Sequence, residues 1–183
     1  MTNTGHTREW ANEQRRVRES MLQNGGRPGV ALPEQLAHKS GRQILEGMKS
    51  GELPHPHMNE TMGFDLIEVG EGHAVFQGTP TIQCYNPMGT VHGGWYATLL
   101  DSALGCAVHS KLPAGRAYTT AELSINIVRA ATGATGPLRA IGTVIHAGKQ
   151  MATAEAKILD EAGRLYAHAT TTCFVFEVPP PRA

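Results

Sequence analysis

The chain has 183 residues and carries sixteen basic and sixteen acidic side chains. This length is enough for one domain with its own hydrophobic core. A formal net charge of zero argues against bulk binding to nucleic acid or to an anionic membrane, because both rely on a basic field. A local basic pocket for a phosphate-bearing ligand is compatible with this balance.

The sequence pattern lacks segments that would take the chain into a membrane or out of the cell. No run of about 18 apolar residues is present, and the N-terminus lacks the apolar stretch of a signal peptide. The three cysteines, Cys84, Cys106 and Cys173, form no CxxC pair. These features predict a protein of the reducing cytoplasm.

The first fifty residues differ in composition from the rest. Residues 7–22 are charged and compatible with a helix, although their apolar residues are too few for a strong stripe. GGRPG at 25–29 interrupts this segment, because glycine and proline disfavour helix. We treat residues 1–40 as an N-terminal arm, either partly helical on a partner subunit or partly disordered. The main domain is expected at 41–178, opening with an amphipathic helix at 41–50.

The middle of the chain predicts two strands followed by one long helix. HMNETMG indicates a helical turn that ends at Gly63. Two short strands follow at 64–69 and 73–79, joined by a turn that contains glycine. The longest apolar segment, residues 95–108, is too long for a usual strand. It therefore predicts a buried helix of roughly five turns that begins near Gly93.

The last seventy residues predict strands. In TAELSINIV, four apolar residues alternate with four polar ones, as in a half-buried strand: Ala121, Leu123, Ile125 and Ile127 against Thr120, Glu122, Ser124 and Asn126. Strands at 137–147, 150–159 and 164–176 follow, separated by hairpin turns with glycine. This order predicts the α+β hotdog fold, an antiparallel sheet of about five to six strands wrapped around one central helix. Other α+β folds fit the same order.

Asp101 is the one carboxylate inside the long apolar helix. A lone buried carboxylate costs several kcal/mol unless it is paired, hydrogen-bonded or hydrated. Four of the six residues at helical spacing from it are Gly, Ala or Thr, so a ligand or water has room beside it. Two interpretations are open from this feature alone. Asp101 is catalytic, or it faces solvent or pairs with a distant arginine.

The loop NPMGTVHGG, residues 86–94, leads into that helix. Gly93 and Gly94 have no Cβ, so another molecule can approach their backbone closely. The first amides of a helix have no internal partner, and they are donors for an oxygen that gains negative charge. Gly93 lies about 12 Å of helix rise from Asp101. Because one carbonyl cannot reach both groups in one subunit, this chemistry predicts a two-fold dimer.

The sequence from Asn86 through His92-Gly93-Gly94 to Asp101 resembles the phenylacetate-degradation-type (PaaI-like) acyl-CoA thioesterases of the hotdog superfamily. The resemblance runs from about residue 58 to 176. It implies that Asp101 acts as general base or nucleophile and that the Gly93 amide polarises the thioester carbonyl. It also implies that Asn86 places the attacking water or the thioester.

The resemblance carries three further expectations. A hydroxyl residue at the start of the next strand assists catalysis, and it maps onto Thr120 with Thr119 as a close competitor. His92, Gly94 and Thr119 are expected to contact substrate. The family implies a homodimer, commonly paired into a tetramer, and it implies no metal or cofactor beyond the coenzyme A of the substrate.

Several other polar residues and two other functions are compatible with the sequence. His92 braces its loop or takes part in chemistry, and the HPH motif at 55–57 has no further zinc-like ligands. Glu122 either faces the site or lies on a solvated strand face. Arg129, Arg139 and Lys149 are either solvated or near the phosphates of coenzyme A. An acyl-thioester dehydratase or hydratase and a non-catalytic acyl-CoA-binding module are the alternative functions. The preferred acyl group does not follow from these residues.

Overall fold

The computed structural model describes residues 7–178, so residues 1–6 of the predicted arm lie outside the described residues. Short 3-10 turns cover Ile82–Cys84 and Gly133–Thr135. The helices of the described chain are α1 Thr7–Gln23, α2 Pro33–Leu36, α3 Gly41–Ser50, α4 His57–Met62 and α5 Gly93–Ser110. The strands are β1 Phe64–Gly70, β2 His73–Gly78, β3 Arg116–Ile127, β4 Leu138–Ala147, β5 Met151–Asp160 and β6 Leu165–Glu177. None of these helices is both long and apolar enough to cross a membrane.

The six strands form one antiparallel sheet in the order β1-β2-β4-β5-β6-β3. Helix α5 packs against one face of this sheet, and β1 and β3 form its two edges. The predicted hotdog fold is therefore confirmed. The hairpin turns predicted at 146–150 and 160–164 connect β4 to β5 and β5 to β6.

Helix α5 lies deep in the core because the strands beneath it carry small side chains. The helix contributes large buried residues such as Trp95, Leu99 and Leu100. On the sheet, the buried residues that face it are mainly small, including Ala140 of β4 and Ala152, Ala154 and Ala156 of β5. Gly142 of β4 makes the tightest approach, since a Cβ there would lie 2.3 Å from the carbonyl oxygen of Ala103. Large residues of the helix thus fill space that the sheet leaves open.

Strand β3 departs from the predicted alternation at a β-bulge. Thr120 pairs with Cys173 and Glu122 with Thr172, which leaves Ala121 as the extra residue. The bulge shifts the side-chain period by one residue, so Tyr118 and Thr120 face α5 together with Leu123 and Ile125. The prediction that Thr120 lies on the face opposite Leu123 is wrong for this reason.

The exposure of β3 also differs from a half-buried central strand. Ala121 and Ile127, which were expected on the buried face, are exposed, and Leu123 and Ile125 are half-buried. The reason is the position of β3 at the edge of the sheet, where only one of its sides has a neighbour, strand β6.

The described part of the N-terminal arm packs on the chain's own sheet. Asp65, Gln77 and Arg139 are neighbours in register on β1, β2 and β4 and bind α1. Gln14 donates to Asp65 at 2.7 Å, and the Arg139 guanidinium lies 4.1 Å from the centre of the Trp10 ring. Arg139 is therefore held by α1, which removes it as a candidate for the phosphates of coenzyme A. The division of the chain at residue 40 stays a prediction.

We expect Gly142→Ala to lower the free energy of unfolding by about 1–3 kcal/mol, because the added Cβ would press on rigid backbone of α5. Urea unfolding followed by circular dichroism measures this change. Gly70→Ala is the matched control, since its Cβ meets His73 only at 3.4 Å, and it should stay within about 0.5 kcal/mol of the parent. Equal stability of the two variants would contradict the tight helix–sheet approach.

Candidate active site

His92 is the N-cap of α5. Its backbone is extended, with φ −65° and ψ 141°, and its Nδ1 accepts a hydrogen bond from the Gly94 amide at 2.9 Å. Nδ1 is therefore the acceptor nitrogen of the ring in this arrangement. The His92 carbonyl accepts from the Trp95 amide at 3.0 Å. His92 thus caps the N-terminus of α5, and its side chain occupies the Gly94 amide.

The cap does not use the Gly93 amide. Within residues 7–178 it has no hydrogen-bond acceptor, and Gly93 is exposed. A Cβ at this position would touch only Ile127, at 3.4 Å from its Cδ1. The N–H group stands at the positive end of an 18-residue helix, where a partly negative oxygen is favoured. This is the geometry expected of a donor to a polarised carbonyl.

The Asn86 side chain makes its hydrogen bonds within its own loop. Its Oδ1 accepts from the backbone amides of Met88, at 2.9 Å, and Thr90, at 3.3 Å, and its Nδ2 donates to Thr90 Oγ1 at 2.9 Å. The loop is then joined to the next part of the chain, because the Val91 amide donates to Ala131 at 2.9 Å. Asn86 therefore shapes the segment that delivers Gly93, and a direct role toward water or thioester stays a prediction.

Asp101 lies half-buried in the middle of α5. Its Oδ1 accepts a hydrogen bond from Thr120 Oγ1 at 2.9 Å. None of the ion pairs among the described residues includes Asp101, so the alternative of a pair with a distant arginine finds no support there. The second oxygen has no protein donor within residues 7–178, and it is not among the buried unpaired atoms. Asp101 is thus oriented by one hydroxyl and open on its other side.

The surroundings of Asp101 are apolar enough to shift the pKa values of neighbouring groups. Burial, with the charge of Asp101 adding to it, raises the pKa of Cys106 to about 12. Burial raises the pKa of Tyr118 well above its ordinary value, with further contributions from Cys106, Asp101 and Cys173. Both groups therefore stay neutral at physiological pH. Asp101 then lacks a charged neighbour on this side of the site.

The two candidate threonines lie on opposite faces of β3. Thr120 faces the helix and binds Asp101, whereas Thr119 is exposed and pairs with Phe174 on the other face of the sheet. The bulge at Ala121 is what brings Thr120 to the helix side. No regular strand pattern reveals such a bulge, so the sequence alone left both threonines open.

Two aromatic residues of the helix entry and several polar residues elsewhere lie in the core or at the surface. Trp95 and Tyr96 are both buried, and their polar atoms bind the carbonyls of Met62 and Arg129. Glu122, Arg129 and Lys149 are exposed. His55 is buried and its Nε2 lies 3.0 Å from Glu60. Residues 7–178 contain no group of three or more His, Cys, Asp or Glu side chains able to hold a metal ion.

Comparison with known proteins identifies the family. A model of the thioesterase superfamily matches residues 88–167. The chain is 32% identical over 103 residues to the acyl-coenzyme A thioesterase PaaI of Escherichia coli. The aligned region covers 56% of this chain and 70% of that protein. The chain belongs to the PaaI-like hotdog thioesterases. This thioesterase is also 29% identical over 108 residues to a 1,4-dihydroxy-2-naphthoyl-CoA hydrolase of Listeria monocytogenes, covering 59% of this chain and 86% of that one.

Solved structures agree with this assignment. The PaaI protein from the phenylacetic acid degradation operon of Escherichia coli superposes with a TM-score of 0.60 at 27% identity, covering 67% of the thioesterase and 85% of that chain. A conserved protein from Pseudomonas aeruginosa gives a TM-score of 0.63 at 29% identity, with 67% and 95% covered.

We expect His92→Asn to retain most of the thioesterase activity, because asparagine also supplies an N-cap acceptor. His92→Ala should lose about 1 kcal/mol of stability through the lost cap. Steady-state thiol release and urea unfolding of both variants measure these effects. If His92 instead transfers a proton, both variants should lose activity by about 10²–10⁴-fold.

Proposed function

We propose that this thioesterase hydrolyses an acyl-CoA thioester to the free acid and coenzyme A. The observation that carries the proposal is Asp101, held by Thr120 and free of any cationic partner among residues 7–178, on the helix that opens with the unpartnered Gly93 amide. The relatives from Listeria monocytogenes and Escherichia coli, a dihydroxynaphthoyl-CoA hydrolase and an acyl-CoA thioesterase, support the same substrate class.

The chemistry needs only these two groups. The Gly93 N–H donates to the thioester carbonyl and stabilises the negative charge that develops on its oxygen. As general base, Asp101 takes a proton from water while the water oxygen attacks the carbonyl carbon. As nucleophile, Asp101 attacks that carbon itself, and water then hydrolyses the resulting anhydride. In both routes the carbon–sulfur bond breaks and the thiolate of coenzyme A leaves.

The two groups act together only across a two-fold dimer. Within one subunit, Gly93 and Asp101 are about 12 Å apart along the helix axis. Strand β3 offers the pairing edge, where its last residue Ile127 and the following Val128 are exposed at 46% and 55%. Ile127 lies beside Gly93, and Thr120 binds Asp101. Antiparallel pairing of two β3 edges near Ser124 would therefore bring Gly93 to Asp101 of the partner subunit.

We extend the proposal to the setting of the enzyme. The protein works as a homodimer, with two dimers pairing into a tetramer, in the cytoplasm. It uses no metal or cofactor beyond the coenzyme A of its substrate, and it binds neither nucleic acid nor membrane. Aromatic acyl groups come first among the substrates to test, because one relative acts on a dihydroxynaphthoyl thioester and another belongs to a phenylacetic acid operon.

Mixing two inactive variants tests both the residues and the shared site. Asp101→Asn removes the base, with an expected loss of about 10²–10⁴-fold in thiol release from aromatic acyl-CoAs. Gly93→Pro removes the amide donor, with an expected loss of about 10²–10³-fold. Proline fits the first position of a helix, and the extended backbone of His92 suits the residue before it. Hybrid dimers keep one intact site and should recover about half of the wild-type activity per dimer.

Controls separate the possible failures of this experiment. Gly93→Ala keeps the N–H and should lose less activity than Gly93→Pro. Substantial hydrolysis by the Asp101→Asn homodimer would remove Asp101 from its role. Hybrids no more active than their parents would argue against a site shared between subunits. Absence of thiol release by the wild type, with tight acyl-CoA binding, would favour a binding module, and conversion of a 3-hydroxyacyl-CoA to the enoyl-CoA would favour a dehydratase.

The two threonines give a further test. Thr120→Val removes the hydroxyl that binds Asp101, and we expect kcat to fall by about threefold to tenfold for one hydrogen bond. Thr119→Val is the matched control, because Thr119 is exposed on the opposite face. Steady-state kinetics on one acyl-CoA compare them. Loss of activity in Thr119→Val alone would reverse the assignment.

A further inference from the structure

A glycine inside α5 marks a close contact beside Asp101. Gly105 lies in the interior of the helix, where glycine is less favourable than alanine by roughly 0.5–1 kcal/mol. A Cβ at this position would lie 2.3 Å from the Tyr118 hydroxyl oxygen and 2.8 Å from two of its ring carbons. The phenol of Tyr118 therefore rests directly on the helix backbone, and only glycine leaves room for it.

This contact lies one helical turn from the catalytic carboxylate. Asp101 and Gly105 are four residues apart, which is about 6 Å of helix rise on the same face. Tyr118 reaches this face because the bulge in β3 places it on the same side as Thr120, which binds Asp101. Tyr118 is half-buried, and its ring meets the edge of His109 at 5.6 Å. The phenol thus lies one helical turn from Asp101, toward the C-terminus of α5.

The hydroxyl of Tyr118 differs from those of the other tyrosines. All four tyrosines of the chain lie within the described residues. The hydroxyls of Tyr85, Tyr96 and Tyr166 bind Gly133, Arg129 and Asp160, respectively. The hydroxyl of Tyr118 has no protein partner within residues 7–178, and it is not among the buried unpaired atoms. It is therefore a donor without a protein acceptor among these residues, on a half-buried side chain one helical turn from Asp101.

We propose that the Tyr118 hydroxyl donates a hydrogen bond to a neutral oxygen of the bound thioester, and that Tyr118 is a substrate-binding residue of this site. This inference rests on the proposed function. The acceptor is neutral, because an anion would be repelled by the adjacent Asp101 carboxylate. Such an oxygen has two sources in an acyl-CoA, a hydroxyl or carbonyl on the acyl group and an amide carbonyl of the pantetheine arm.

Tyr118→Phe tests the inference, because it removes the hydroxyl and keeps the ring against Gly105. We expect KM to rise and kcat/KM to fall by about threefold to tenfold, as for one hydrogen bond, while kcat changes little. Tyr166→Phe is the matched control, since it loses a hydroxyl bonded to Asp160 instead, and it should keep the parent KM. Urea unfolding confirms that both variants remain folded.

The choice of substrate identifies the source of the acceptor. Benzoyl-CoA, 4-hydroxybenzoyl-CoA and a simple benzoyl alkyl thioester without an amide are compared. A loss with both CoA substrates that disappears with the alkyl thioester assigns the acceptor to the pantetheine arm. A loss confined to the hydroxylated substrate assigns it to the acyl group. Unchanged kinetics of Tyr118→Phe on all three overturn the inference, whereas absence of thiol release by the wild type defeats the proposed function instead.

Discussion

The close packing of α5 on the sheet is the constraint on which the site depends. Small residues of β4 and β5 let the helix approach until Gly142 nearly touches the carbonyl of Ala103. A helix held this tightly along its length has fixed ends and a fixed rotation about its axis. Gly93 is therefore held at an exposed N-terminus, and Asp101 is held half-buried beside the edge strand β3.

The bulge in β3 converts this scaffold into a site. One extra residue at Ala121 lets Tyr118 and Thr120 face the helix before it and Leu123 and Ile125 after it. A regular strand would have turned either the two polar hydroxyl groups or the two aliphatic side chains away from α5. The same strand is the sheet edge, so the residues that orient Asp101 belong to the element best placed to meet a second subunit.

The N-terminal helix has a separate role in the architecture. It lies outside the residues matched by the superfamily model, which begins at residue 88. Its contacts with Asp65, Gln77 and Arg139 are polar and charged, and they cross three neighbouring strands. Buried polar groups of this kind favour one defined docking position, because each misplaced partner would leave another unpaired. Arg139 looked like a candidate for binding phosphate from its position in the chain, but its charge serves this contact.

Local rules were sufficient for most of the fold and part of the site. The apolar run at 95–108, the glycines that begin it and the strand periodicity depend on neighbours a few residues apart, so the sequence by itself determined the helix and the strands and marked Gly93 and Asp101 as candidate site residues. The resemblance of residues 86–101 to the PaaI-like thioesterases predicted the family. Only the tertiary structure decided that Thr120 rather than Thr119 meets Asp101, that His92 caps the helix, and that Tyr118 covers Gly105. These outcomes depend on a bulge and on contacts between distant segments, and neither produces a periodic pattern of residues in the sequence.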